Sequence, residues 1–279
     1  MLSPRSLHDF PPNPIEKSGY VLEFQDEFDG PEIDTQKWFP YYMPQWSSRA
    51  QATPQYTIQD GSLVLQIAQD QAAWCPEFDG PVRCSGIQTG CYAGPLGSTL
   101  GQHRFKPVCR VREAQPAVST YTPQYGYFEV RAKGLRSSGN MAALWMIGYE
   151  EVPEHSAEIA LFELAGALSG DWVSTIRYGV HPWSDPQMQD TFYEEQLALN
   201  TGDFHIYAVE WLPTHLDFYV DNHKIRSIAQ SPQYPMQFML TLYELPLEGI
   251  WTGALDVTAP YPKTFTVDYF RGYQPVGGY

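Results

Sequence analysis

Two glutamates, Glu158 and Glu163, stand five residues apart in SAEIALFELAG (156–166), a run otherwise so apolar that both its faces must be largely buried. A carboxylate in such a strand is costly unless it is paired or put to use. Two carboxylates about 5–5.5 Å apart over one groove suit double displacement at a glycosidic bond. In a regular strand, positions five apart point to opposite faces. A single β-bulge between them restores a common face, and bulges often re-aim side chains beside active sites. By spacing alone the plainer arrangement has the edge, with one Glu in solvent and the other paired with an Arg.

The remaining chain must supply a scaffold for such a pair. Seventeen Lys and Arg face 32 Asp and Glu among 279 residues, a formal charge of −15. That balance argues against nucleic acid or an anionic membrane as the main partner, because both need a positive face. It weighs mildly against a polyanionic substrate as well. With 18% charged and 15% aromatic residues, the composition is too apolar for a disordered chain. No run of eighteen apolar residues occurs. The first thirty residues lack the apolar stretch of a secretory signal, so a cytoplasmic protein is the default expectation, or a secreted one already trimmed.

Residues 1–18, with Pro4, Pro11, Pro12 and Pro14, read as an extended tail over the domain. Short apolar or alternating runs then recur at 20–24, 62–68, 125–133, 141–148, 158–164, 173–180, 204–211, 216–221, 236–244 and 265–273. They are rich in Val, Ile, Tyr and Phe, and turn pairs such as Asp60-Gly61 and Asp221-Asn222 bound them. Helical periodicity is confined to a turn near Ile33–Trp38. The pattern predicts an all-β antiparallel sandwich over 19–279. Residues 70–123 differ: this long Gly/Pro-rich stretch carries Arg104, Lys106, Arg110 and Arg112, and reads as a loop insertion. It suits either a binding rim or a variable insertion without a role.

Other chemical signatures are missing. There is no phosphate-binding G-x-x-x-x-G-K-[ST], no H-E-x-x-H, no EF-hand loop and no G-x-S-x-G. The cysteines Cys75, Cys84, Cys91 and Cys109 form no C-x-x-C pair, so a zinc cluster is not expected. Two local disulfides in any of three connectivities fit the count, but free thiols fit the absent signal better.

The flanking blocks change the weight on the two glutamates. LEFQDEFDGPEIDTQKW (22–38), YTIQDGSLVLQI (56–67), YGYFEVRAKGLRSSGNMAALWMIG (125–148), DFHIYAVEWLPTHLDFYVDNHKI (203–225) and FTVDYFRGYQ (265–274) follow in order. In these the chain resembles glycoside hydrolase family 16, the laminarinase- and lichenase-like β-jelly rolls. The resemblance implies a concanavalin A-like sandwich of two antiparallel sheets. It also implies an endo-acting, retaining β-glycan hydrolase, β-1,3-glucanase-like, that needs no metal or organic cofactor. The family signature E-x-D-x-x-E places Glu158 as nucleophile and Glu163 as general acid/base.

Two positions depart from the family pattern. Ala160 stands where the signature has Asp, removing a partner of the nucleophile and a charge that keeps the acid protonated. Met141 replaces the first Trp of a W-P-A-F-W-type block, whose second Trp matches Trp145. The resemblance further implies a cleft lined by Trp145, His181 and Trp183, with Trp46 and Arg49 on a rim loop. The plainer readings are a core His and Trp, and an ordinary packed loop. Glu27, the carbonyl of Gly61 and Asp268 match positions that hold a structural calcium in some relatives. His205 with Trp211 reads as core. The expected partner is a neutral β-glucan and the expected state a monomer. The alternative reading, prompted by Ala160, is a weakly active or non-catalytic carbohydrate-binding protein on the same scaffold.

Overall fold

The computed structural model describes residues 8–279; Pro4 and the rest of 1–7 lie outside the described residues. All ten runs read as strands form strands, and they stack in two antiparallel sheets, as the jelly-roll expectation required. In the eight-stranded sheet the long strand Lys263–Pro275 is central. Gly126–Lys133 flanks it on one side, and Ser62–Ile67 and Tyr20–Asp26 share the other. The six-stranded sheet runs Thr191–Leu197, Ser174–His181, Glu158–Ala165, Asn140–Gly148, Met236–Glu244, Arg83–Gln88. Asp60-Gly61 and Asp221-Asn222 make two-residue hairpin turns, with φ of 53° and 67°, and 49° and 63°. Two left-handed residues in succession match the strand twist, which is why Asp, Asn and Gly occupy them.

Alternate residues of both sheets meet in one core, where Phe128, Val130 and Phe270 of one sheet pack with Ile159, Phe162 and Phe238 of the other. Each such side chain contributes roughly 1.5–3 kcal/mol by leaving water. That outweighs the surface ion pairs, which contribute about 1 kcal/mol or less each. Residues 8–18 run over the opposite face of the eight-stranded sheet. There the Arg131 and Arg271 guanidinium groups donate to the carbonyls of Phe10 and Asn13, and Asn13 Nδ2 donates to Glu129.

The stretch 70–123 is not a loop throughout. Arg83–Gln88 is the edge strand of the six-stranded sheet, paired along Met236–Glu244. Its sequence, RCSGIQ, carries no alternation because five of its six residues are buried, which hid it from periodicity. The neighbouring chain covers part of the sheet's outer face. Trp46, Trp74, Phe78, Cys109 and Val111 pack there with Trp145, Ile147, Met239 and Tyr243 in a second apolar cluster. The four cysteines are buried free thiols.

One buried carboxylate ties this cover down. The backbone N–H of His103 donates to Glu150, on the turn after Asn140–Gly148. Burial pushes Glu150 up to about 8 from 4.5. The folded state therefore holds that proton longer than the unfolded chain, and stability falls as pH rises from about 4.5 to about 8. Glu150→Gln keeps an acceptor for His103 and removes the charge. We expect its melting temperature to match the parent near pH 5 and to exceed it near pH 9. The gain should be about 2–4 °C per kcal/mol recovered, read by thermal melts across that range.

Candidate active site

Register sets the site. Along Asn140–Gly148, Leu144 pairs with Phe162 and Trp145 with Ala160, so Leu161 is an extra residue without a partner. The neighbouring strand skips at the same place, with Arg177 opposite Glu163 and Gly179 opposite Ala160. Leu161 and Phe162 both turn into the core between the sheets. This bulge reverses the alternation once. Glu158, Ala160 and Glu163 thereby share the face away from that core, and the two glutamates line one pocket.

Small residues surround the glutamates on the sheet, and one of them, Ala143, lines the pocket. Ala160 lies between Gly179 on one strand and Trp145 on the other, and Ala143 lies beside Glu163. Gly179 has φ of 144°, and a Cβ there would come within 2.3 Å of the Thr191 carbonyl oxygen. Only glycine lets the neighbouring strand approach so closely. The walls are Trp145, whose indole N–H donates to Thr241, together with His181, Trp183, Tyr243, Met141 and His103.

Both carboxyls are held near neutrality. Burial raises Glu158 to about 8, with the nearby charge of Glu163 adding to it, while the Trp183 N–H at 2.8 Å works the other way. Burial also raises Glu163 to about 7, against the pull of Arg177, whose Nη1 lies 3.1 Å from its carboxylate. Arg177 is shared: its Nε sits 3.0 Å from Glu194 and its guanidinium 3.8 Å from the centre of the Trp251 ring. Burial outweighs the arginine, so the pair retains a proton at neutral pH. The common groove and the Arg partner, set against each other by the spacing, occur together here.

Trp145, His181 and Trp183 thus meet Glu158 and Glu163 in one pocket. Trp46 and Arg49 do not. The Trp46 ring is fully buried in the second cluster with its N–H donating to the Gln102 carbonyl, because the inserted chain closes over it. Arg49 sits against Phe39 and Tyr41 and donates to Gln115, bracing the same cover. Of the positions matched to a structural calcium, Glu27, Gly61 and Asp268, the two carboxylates each meet an arginine. Arg271 grips Glu27 with two bonds of 2.7 and 2.8 Å, and Arg131 meets Asp268 at 2.7 Å, so each charge already has its counter-charge. No cluster of three metal-ligating side chains forms among the described residues. His205 is a buried core residue held between Asp221 and the Asn200 carbonyl.

Sequence reasoning missed His103, Arg177 and Tyr243. Arg177 and Tyr243 lie on strands where alternation could have flagged them as facing with Glu163. His103 carried no signal, since it reaches the pocket from irregular chain. Its ring lies 5.1 Å from that of Trp145 and 4.6 Å from that of Trp183. Burial keeps it neutral, down to about 3.

Comparison with known proteins agrees with this architecture. The family model for glycosyl hydrolases family 16 matches residues 109–271. Glucan endo-1,3-beta-glucosidase A1 of Niallia circulans is 27% identical over 92% of this chain and 38% of its own length. Keratan-sulfate endo-1,4-beta-galactosidase of Sphingobacterium multivorum is 25% identical over 93% of this chain and 56% of its own. The chain therefore spans between about two-fifths and three-fifths of these two curated relatives. Among solved structures, a GlcNAcα1-4Gal releasing endo-β-galactosidase from Clostridium perfringens superposes with a TM-score of 0.85 at 36% identity, covering 98% of this chain and 66% of that one. A laminarinase catalytic domain from Thermotoga petrophila superposes at 0.64 with 19% identity, over 92% of this chain and 98% of that one, a likeness of fold. With a family model that matches more than half of its residues, the chain belongs to glycosyl hydrolases family 16.

Proposed function

We propose that this chain is an endo-acting β-glycan hydrolase working by retaining double displacement. The observation that carries the reading is the bulge at Leu161–Phe162, which turns the two carboxyls into one pocket. Glu158 attacks the anomeric carbon as the glycosidic C–O bond breaks, and the proton of Glu163 passes to the leaving oxygen. Glu163 then takes a proton from water, whose oxygen displaces Glu158 and frees the sugar. Arg177 favours ionised Glu163 and so assists this second, base half of the cycle; for the first half the Trp183 N–H favours ionised Glu158, leaving the pair's one proton to Glu163. The roles follow each residue's place in the family signature.

A galactose-containing glycan cut at a β-galactosidic bond is the substrate class with the most support. It rests on the Clostridium perfringens endo-β-galactosidase, which shares 36% of its residues over 98% of this chain. A β-1,3-glucan is the second reading, supported by the 27% identical Niallia circulans relative. A panel of galactans, keratan-type chains and β-1,3-glucans, assayed by reducing-end release, separates the two. Release from none of them, with retained binding, would favour the carbohydrate-binding alternative.

Two variants test the mechanism. Glu158→Gln and Glu163→Gln should each lower turnover by about 10³-fold or more while leaving the melting temperature equal or higher, since each removes a buried acid. An unchanged rate in either would place the chemistry elsewhere. Arg177→Met removes the charge that holds Glu163 down, so Glu163 stays protonated to higher pH. The alkaline limb of the pH–rate profile should therefore move upward in this variant, and a limb that stays or moves down contradicts the role of Glu163 as acid.

A further inference from the structure

We propose that Trp183 is a positioning residue for Glu158, its indole N–H performing the orienting task that a carboxylate at position 160 performs in the family signature. This rests on the reading of Glu158 as the nucleophile. The side chain at 160 is a methyl group that can neither donate nor accept, and its cross-strand neighbour Gly179 offers no side chain either. The hydrogen bond given to Glu158 comes instead from Trp183 Nε1, 2.8 Å from Oε2. A sugar-stacking tryptophan has no need of such a bond, because stacking uses the ring face.

The surrounding chain is arranged to hold that indole. Trp183 has φ of 47°, a left-handed conformation that a bulky residue adopts only when its surroundings enforce it. The enforcing contacts reach to the start of the strand that bears Glu158. Ser184 N–H donates to Ser156 Oγ at 2.9 Å. Tyr234 OH donates to Asp185 at 2.6 Å and accepts the Ala157 N–H at 2.8 Å. The turn carrying Trp183 is thus fastened to the two residues just before Glu158. His103, from the inserted chain, packs its ring edge-on against the indole, at 88° and 4.6 Å between centres. Trp183 is nevertheless 47% exposed, so it is not there to fill a core.

The groups facing Glu158 are Glu163 on its own strand, His181 directly across, Asp190 beyond it, Tyr243 on the opposite side and His103 above. Among them the Trp183 N–H favours the ionised nucleophile. Losing it should therefore raise the pH at which Glu158 ionises.

Trp183→Phe keeps a ring and deletes the donor. On the polysaccharide turned over best in the panel, kcat should fall 10–100-fold with KM within about twofold, and the acid limb of the kcat/KM profile should move upward. The exposed position predicts an unchanged melting temperature. A rise in KM with an unmoved acid limb would make Trp183 a sugar platform only and overturn the proposal. Ala160→Asp in the parent offers an independent check. If Glu158 already has its partner, the added carboxylate should bring no gain in kcat, whereas a tenfold gain would show that the nucleophile lacked one. A third measurement needs no turnover. The indole N–H resonance missing from Trp183→Phe should titrate with pH in the parent and not in Glu158→Gln; a resonance indifferent to Glu158 overturns the contact. Failure of the nucleophile reading looks different, as full turnover in Glu158→Gln.

Discussion

One extra residue governs this molecule's chemistry. Strand geometry assigns Glu158 and Glu163 to opposite faces, and a glutamate facing the inter-sheet core would meet Phe128, Phe238 and Phe270. Leu161 and Phe162 resolve the conflict by both entering that core, leaving one residue unpaired on the strand. The driving force is hydrophobic burial of two large side chains; the consequence is a change of face for everything beyond them. The neighbouring strand absorbs the same step between Arg177 and Gly179.

Once the carboxyls share a face, their surroundings decide what they can do. Ala143 lies beside Glu163 in the pocket, and His103 of the inserted chain joins Trp145 and Tyr243 in its walls. Poor solvation raises both carboxyls, and two fixed groups then bias them separately, an indole N–H on Glu158 and a guanidinium on Glu163. A carboxylate at 160 would add a third negative charge to a site that already disfavours two. In the proposed mechanism the nucleophile is oriented from the turn that carries Trp183 rather than from position 160.

The inserted stretch contributes in three ways that a surface loop would not. It adds the edge strand Arg83–Gln88, buries Trp46 and Trp74 in a second cluster, and delivers His103 to the pocket. The last of these is anchored through Glu150, a buried carboxyl whose proton accompanies the native state. Cover and site are therefore mechanically one unit, joined at His103.

Local pattern was enough for much of this. Alternating Val, Ile, Tyr and Phe determined the strands and the sandwich, because burial on one face writes itself directly into every second residue. Asp60-Gly61 and Asp221-Asn222 determined their hairpins, since few residues accept two left-handed conformations in a row. The apolar setting of Glu158 and Glu163 marked them as special, and the ordered blocks around them pointed to the family. Tertiary structure decided the rest. RCSGIQ became a strand only because its partner edge was waiting, and Trp46 was buried only because the insertion folded over it. Glu27 and Asp268 went to arginines that lie 244 and 137 positions away along the chain. His103, Arg177 and the indole of Trp183 reached the glutamates by contacts between elements. Sequence spacing cannot encode such contacts, because they depend on which surfaces pack and not on which residues are neighbours.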